Sequence, residues 1–159
     1  MEVTAEYLDN SRFEVAAREH RVICDQPREN GGADSGMSPP EFLLAALATC
    51  TAYDATQYLK VRNLPVQNLK VRVTAEKAQQ PARLASFQIE VMSPGLEERH
   101  EANILRAVKA CLIHNTLLVQ PHIEVLLNTT TVAETWKDGN ESLFVAVHQC
   151  TGARSSKSP

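Results

Sequence analysis

Segments in which apolar and polar residues alternate lie on both sides of one long stretch rich in alanine and leucine, and this arrangement is the strongest constraint on the fold. Three alternating segments precede residue 25, and two more lie between residues 69 and 91. A period of two predicts β-strands that are buried on one face. Turn-forming residues, Asp9-Asn10-Ser11 and Gln79-Gln80-Pro81, separate neighbouring segments. Both groups of segments are therefore expected to form antiparallel hairpins.

Two helices are predicted between and after these strands. The first is expected to begin at Ser38 as the N-cap, because two prolines and then Glu41 follow it, and to continue to about Leu59. The second is expected over residues 98–118, where apolar residues recur at helical spacing. Its apolar stripe consists of Ile104, Val108, Cys111 and Leu112.

The remaining segments complete the predicted topology. A strand is expected over residues 121–127, and a hairpin over 129–135 and 143–147. Strands and helices are segregated along the chain, which indicates an α+β fold with mainly antiparallel sheets packed on two long central helices. A chain of 159 residues suits a single domain over residues 1–150, followed by a flexible tail over 151–159.

Composition excludes several classes of protein. The net charge is −3 and aromatic residues are only 5%, so neither a phosphate-binding surface nor a base-stacking platform is expected, and no nucleic-acid partner is predicted. The longest apolar run, residues 42–48, is far too short to cross a bilayer. The first residues do not have the pattern of a signal peptide. A cytoplasmic protein without a membrane partner is therefore expected.

The cysteines are the residues most suggestive of chemistry. They are Cys24, Cys50, Cys111 and Cys150. No pair has CxxC spacing, and in a reducing compartment free thiols are the default. Cys50 and Cys111 lie on stripes of the two predicted helices, so their thiols would meet if these helices pack together. Free cysteines are also common as small core residues, and that interpretation stays open.

A metal site is a further alternative. Cys111 and His114 have the spacing of two ligands on one helix. Cys50 and either His100 or His122 would then complete the ligand set.

Two blocks of sequence resemble the OsmC/Ohr family of osmotically inducible and organic hydroperoxide resistance proteins, in particular its OsmC-like branch. The first block comprises residues 26–32 (QPRENGG) and 35–54 (SGMSPPEFLLAALATCTAYD). The second is residues 107–115 (AVKACLIHN). The resemblance covers roughly residues 1–135.

This resemblance implies an intertwined homodimer with active sites at the dimer interface, and a thiol peroxidase for oxidative-stress defence. Cys50 would attack an organic hydroperoxide and become a sulfenic acid, and Cys111 would resolve it as a disulfide. An external dithiol, which is a lipoyl group in part of the family, would reduce that disulfide. Arg28, or alternatively Arg12, and Glu41 would activate Cys50. Neither a cofactor nor a metal is implied.

The acidic residues near Cys50 leave a second function open. Glu41 precedes Cys50 by nine residues, half a helical turn out of phase, so it would reach Cys50 only across a dimer; otherwise it stabilises the helix start. Asp54 follows Cys50 by one turn, and a neighbouring carboxylate opposes thiolate formation. A non-catalytic protein of the same family that binds a small molecule is therefore the alternative.

Overall fold

Residues 1–129 are described by the computed structural model, and they begin with a three-stranded antiparallel sheet. Strands β1 (Thr4–Asp9), β2 (Arg12–Ala17) and β3 (His20–Cys24) pair in chain order, as the alternation predicts. Tyr7 pairs with Phe13, and Phe13 also pairs with Cys24. Paired residues share a face of a sheet, so this register places Tyr7, Phe13 and Cys24 on one side.

Helix α1 (Pro39–Val61) begins where the sequence predicts. The backbone N–H and the hydroxyl of Ser38 both donate to Glu41 Oε2, at 2.7 Å each. This pairing is the glutamate half of a capping box, which satisfies a donor that the helix itself leaves free.

A long hairpin follows α1, made of strands β4 (Lys70–Gln79) and β5 (Ala82–Met92). Their antiparallel register pairs Val71 with Val91 and Val73 with Ile89, which places the half-buried residues of both strands on one face. α1 packs against this hairpin.

The second predicted helix is wrong in one respect: it is interrupted. Helix α2 (Glu98–Val108) and helix α3 (Leu112–Leu118) replace the continuous helix over residues 98–118. Cys111 lies between them with a ψ of 132°, outside the helical range. The prediction of two long central helices therefore holds for α1 alone, and the sequence around Cys111 contains neither glycine nor proline to mark the break.

The core lies between α1 and α2. Ala55, Tyr58 and Leu59 of α1 pack against Ile104 and Val108 of α2, and all five are buried. The Tyr58 hydroxyl lies 3.0 Å from His100 Nδ1, which ties the two helices together through a polar contact inside this apolar cluster.

The end of the described region differs from the prediction. Residues 121–127 form no strand in the described structure. The chain divides into a unit over Met1–His122 and another that starts at Ile123. The predicted hairpin over residues 129–135 and 143–147, and the tail over 151–159, lie outside the described residues. No helix in the described part of the chain is long and apolar enough to cross a membrane.

Candidate active site

Three potentially reactive side chains converge on one point of the fold. The sulfur atoms of Cys50 and Cys111 and one carboxylate oxygen of Asp54 all lie within 4.8 Å of one another. We call this group the thiol cluster. None of the cysteines in the described region forms a disulfide.

Two separate elements position the thiol cluster. Cys50 and Asp54 are four residues apart on α1, so they project from the same face of the helix. Cys111 is the N-cap of α3, and the break after α2 turns its side chain toward α1. The backbone N–H groups of Ile113 and His114, which a helix start leaves free, hydrogen-bond to the Cys111 sulfur.

The two cysteines have different surroundings. Cys111 is only 1% exposed, whereas Cys50 is half-buried. Burial, and then a hydrogen bond with the Cys50 thiol, raise the pKa of Cys111, against the opposing effect of the backbone N–H groups of His114 and Ile113. Cys111 is therefore held as a neutral thiol at neutral pH, next to a more accessible partner.

Unsatisfied polar atoms accompany these thiols. Asp54 Oδ2 and Thr51 Oγ1 are buried without a hydrogen-bond partner among the described residues. A buried polar atom without a partner costs roughly 1–3 kcal/mol. Such a cost at two neighbouring α1 residues is typical of a functional site.

One cavity has a residue of the thiol cluster in its wall, and a second is lined in part by residues that lie three positions from Cys50 and from Cys111 in the sequence. An arginine-lined cavity of about 490 Å³ has Asp54, Arg62 and Arg106 in its wall. An apolar cavity of about 360 Å³ lies between β5 and α3. Its wall includes Leu47, Leu84, Phe87, Ile89, His114 and Leu117.

No hydrogen bond or ion pair among the described residues joins the other predicted site residues to the thiols. Arg28 is exposed in a short 3-10 helix (Arg28–Asn30), and no hydrogen bond or ion pair in the described region joins it to Cys50. Arg12 binds Asp9, with its Nε 2.7 Å from Asp9 Oδ1. Glu41 is engaged by Ser38, whose hydrogen bonds lower the pKa of its carboxyl.

The histidines proposed as metal ligands also have other surroundings. His100 contacts Tyr58 rather than a cysteine. His114 contributes its backbone N–H to Cys111, and among the described residues the group that could hold a metal ion, the thiol cluster, contains no histidine.

A buried aspartate that the sequence analysis missed organises the loop before α1. Asp25 is fully buried. Its Oδ1 accepts from the Ser11 hydroxyl at 2.7 Å and from its neighbour's backbone N–H, and its Oδ2 accepts from Ser35 and from the Ala33 N–H. These bonds, led by those from Ser35 and Ser11, hold the pKa of Asp25 far below its usual range.

The same loop needs glycine for space. A Cβ on Gly32 would lie 1.8 Å from the Gln26 carbonyl oxygen, which no side chain tolerates. The polar, glycine-rich composition of residues 25–38 predicts a loop. That Asp25 organises this loop could be suspected only from its position directly after a strand.

Comparison with known proteins agrees with this fold. A family model described as OsmC-like protein matches residues 31–126, a span that contains the whole thiol cluster. No match is found among curated proteins.

Three solved structures share the fold at low identity. A Psychrobacter arcticus protein, provisionally assigned to osmotic stress and detoxification, has a TM-score of 0.66 and 18% identity over 72% of this chain and 85% of its own. An OsmC-like protein from Mycoplasma pneumoniae has a TM-score of 0.60 and 22% identity, over 74% of this chain and 86% of its own. An organic hydroperoxide resistance protein OsmC from Legionella pneumophila has a TM-score of 0.53 and 15% identity, over 73% of this chain and 87% of its own. With the family model matching more than half of its length, the chain belongs to the OsmC-like protein family.

Proposed function

We propose that this protein is a cysteine-based peroxidase that reduces organic hydroperoxides. The observation that carries the proposal is the convergence of Cys50 and Cys111, whose sulfur atoms are within 4.8 Å of each other although 61 positions separate them in the chain. A pair of thiols so close, one accessible and one buried, suits a reaction in which the first is oxidised and the second resolves it.

The reaction has two steps on the protein. The Cys50 thiolate attacks the terminal oxygen of the hydroperoxide, the O–O bond breaks, and the leaving alkoxide takes a proton and departs as the alcohol. Cys111 then gives up its proton and attacks the sulfur of the Cys50 sulfenic acid, which releases water and forms a disulfide. An external dithiol such as a lipoyl group returns both cysteines to thiols by exchange.

Two observations support an organic substrate. The apolar cavity between β5 and α3 is large enough for an alkyl or aryl group, and its wall includes His114, close in sequence to Cys111. The Legionella pneumophila neighbour carries the name of an organic hydroperoxide resistance protein. Reduction of hydrogen peroxide itself is expected to be slower, because it gains nothing from such a wall.

A homodimer is part of the proposal because one chain leaves an apolar surface uncovered. Tyr7, Phe13 and Val22 are exposed, and their register places them on one face of the β1–β3 sheet. A second copy would cover this sheet face, and it is expected to bring Arg28 toward a thiol cluster. A guanidinium next to Cys50 would favour its thiolate.

Stopped-flow oxidation of the reduced protein tests the proposal. Cumene hydroperoxide is expected to oxidise the wild type much faster than a free thiol, and faster than hydrogen peroxide does. Cys50→Ser is expected to abolish the fast phase, and Cys111→Ser to stop at a sulfenic acid detectable by mass spectrometry. Cys24→Ser removes a buried cysteine outside the cluster and serves as the matched control.

A non-catalytic protein that binds a small molecule in the same place is the second candidate. It is favoured by Glu41, which is occupied in capping α1. If the wild type reacts with cumene hydroperoxide no faster than a free thiol does, the proposed peroxidase activity is wrong and small-molecule binding is the better proposal.

A further inference from the structure

We propose that Cys50, Asp54 and Cys111 bind a zinc ion as a three-ligand site. The proposal stands apart from the peroxidase function, because it concerns the reduced thiols and needs no turnover. Two sulfurs and one carboxylate oxygen are a ligand set that zinc accepts readily.

The distances suit a tetrahedral ion. With Zn–S bonds of about 2.3 Å and Zn–O bonds of about 2.0–2.2 Å, tetrahedral ligands lie roughly 3.5–3.8 Å apart. The three ligand atoms already lie within 4.8 Å of one another, at most about 1 Å from that spacing, a change on the scale of a side-chain rotation. Three protein ligands leave one position for water or for an external ligand.

Asp54 supplies an independent sign of a cation. Its Oδ2 is buried and has no hydrogen-bond partner in the described part of the chain, an expensive state for a carboxylate oxygen. A bound divalent cation would satisfy it. The sequence pattern pointed instead to histidine ligands, but His100 is occupied by Tyr58, and the aspartate takes that place.

The surroundings support zinc-bound thiolates. The backbone N–H groups of Ile113 and His114 donate to the Cys111 sulfur, as outer hydrogen bonds commonly do for metal-bound ligands. Two thiolates and a carboxylate carry three negative charges, and the ion reduces this to one. Arg62 and Arg106 line the cavity beside Asp54, and their positive charges would offset the negative charge that remains.

Zinc binding and disulfide formation exclude each other, because both use the same sulfur electron pairs. When a hydroperoxide oxidises the zinc-bound pair, the two thiolates lose two electrons and form the disulfide. The hydroperoxide takes those electrons with two protons and leaves as alcohol and water, and the zinc ion is released. One zinc is therefore expected to be freed for each disulfide formed.

Zinc titration of the reduced, metal-free chain against a chromophoric chelator tests the proposal. One equivalent is expected to bind to the wild type. Asp54→Asn, Cys50→Ser and Cys111→Ser are each expected to weaken binding at least about 10-fold. Cys24→Ser and the exposed Asp34→Asn are the matched controls, and both are expected to bind as the wild type does. Binding that all three cluster variants retain would overturn the proposal.

A second measurement on the wild type does not depend on how the variants fold. Zinc is expected to slow alkylation of Cys50 and Cys111 and to leave Cys24 unaffected, as read by peptide mass spectrometry. Cobalt(II) in place of zinc is expected to give thiolate-to-metal charge-transfer absorption that is lost in the cysteine variants. If Cys50 and Cys111 are alkylated at the same rates with and without zinc, the site is contradicted, whatever the result of the peroxidase assay.

Discussion

At the scale of single residues, the site contains two thiols whose sulfur atoms lie within 4.8 Å of each other but whose exposure to solvent differs. Cys111 is 1% exposed, and burial raises its pKa. Cys50 is half-buried on the neighbouring helix. An electrophile from solvent is therefore expected to meet Cys50 before it meets Cys111.

Alkylation of the reduced protein by iodoacetamide checks this inequality. At pH 7, Cys50 is expected to react at least about 10-fold faster than Cys111, because only the accessible thiolate reacts. Since the pKa of Cys111 is raised, its alkylation is expected to increase only when the pH rises above the ordinary range of thiols. Quantitative peptide mass spectrometry measures both rates, and equal rates at pH 7 would show that the two cysteines do not differ.

At the scale of elements, a polar contact made by Tyr58 links α1 to α2. The Tyr58 hydroxyl bonds His100 of α2 at 3.0 Å, and the Arg62 guanidinium lies 4.0 Å above the Tyr58 ring centre. This contact therefore links the helix that carries Cys50 to the helix that leads into Cys111.

Tyr58→Phe is expected to lower the free energy of unfolding by about 1 kcal/mol, because it removes the hydroxyl and leaves His100 without its partner. The ring and its contact with Arg62 are retained. Tyr53→Phe is the matched control, since Tyr53 lies on the same helix and is 64% exposed. Denaturant unfolding measures both variants, and an equal effect of the two would contradict the role given to the hydroxyl.

The loop before α1 is expected to be sensitive to acid through Asp25. Its pKa is lowered in the folded state, so the stability it contributes is complete above the unfolded value of about 4 and is lost as the pH falls below that value. Asp25→Asn is expected to lower the melting temperature by several degrees at pH 7.

Melting curves of wild type and Asp25→Asn between pH 7 and pH 3 measure this dependence. The difference between them is expected to shrink below about pH 4, because the unfolded wild-type chain then takes up a proton that the folded Asp25 carboxylate, with its lowered pKa, does not. Asp34→Asn, an exposed aspartate of the same loop, is expected to change little at any pH. A constant difference across the pH range would contradict the assignment to the Asp25 carboxylate.

Local signals were readable in the sequence, and features with a tertiary cause were not. The start of α1 was predictable because Ser38 and Glu41 are three residues apart and satisfy each other. The break at Cys111 was not predictable, because no glycine or proline marks it and the contact that stabilises it is with α1, far away in the sequence. Asp25 was missed for a similar reason: its partners extend from Ser11 to Ser35, and no short motif describes them.

At the scale of the whole molecule, apolar side chains on one face of the N-terminal sheet are exposed to solvent when the chain is alone. Tyr7 is 66% exposed and Val22 is 47% exposed. The Tyr7 and Phe13 rings pack edge to face at 5.9 Å, so they already form a small rigid platform. Stable protein interfaces cover about 800 Å² on each partner, so this sheet face would form one part of such an interface.

Sedimentation equilibrium tests whether a second copy covers this face. A dimer of twice the 17.6 kDa chain mass is expected. Tyr7→Glu is expected to raise the dimer dissociation constant at least about 10-fold, because it buries an unpaired charge at the interface. Thr4→Glu places the same charge on the opposite face of β1 and is expected to leave the dimer intact. A monomeric wild type would contradict the dimer.

The break between α2 and α3 also has a consequence for the unfolded chain. A bond between Cys50 and Cys111 would close a covalent ring of about 60 residues, and the entropy such a ring removes from the unfolded state corresponds to about 4 kcal/mol. The oxidised protein is therefore expected to melt at a clearly higher temperature than the reduced one, while Cys111→Ser melts at the same temperature in both conditions. The backbone break that turns Cys111 toward α1 would therefore make the protein more resistant to heat and proteases after it has met an oxidant.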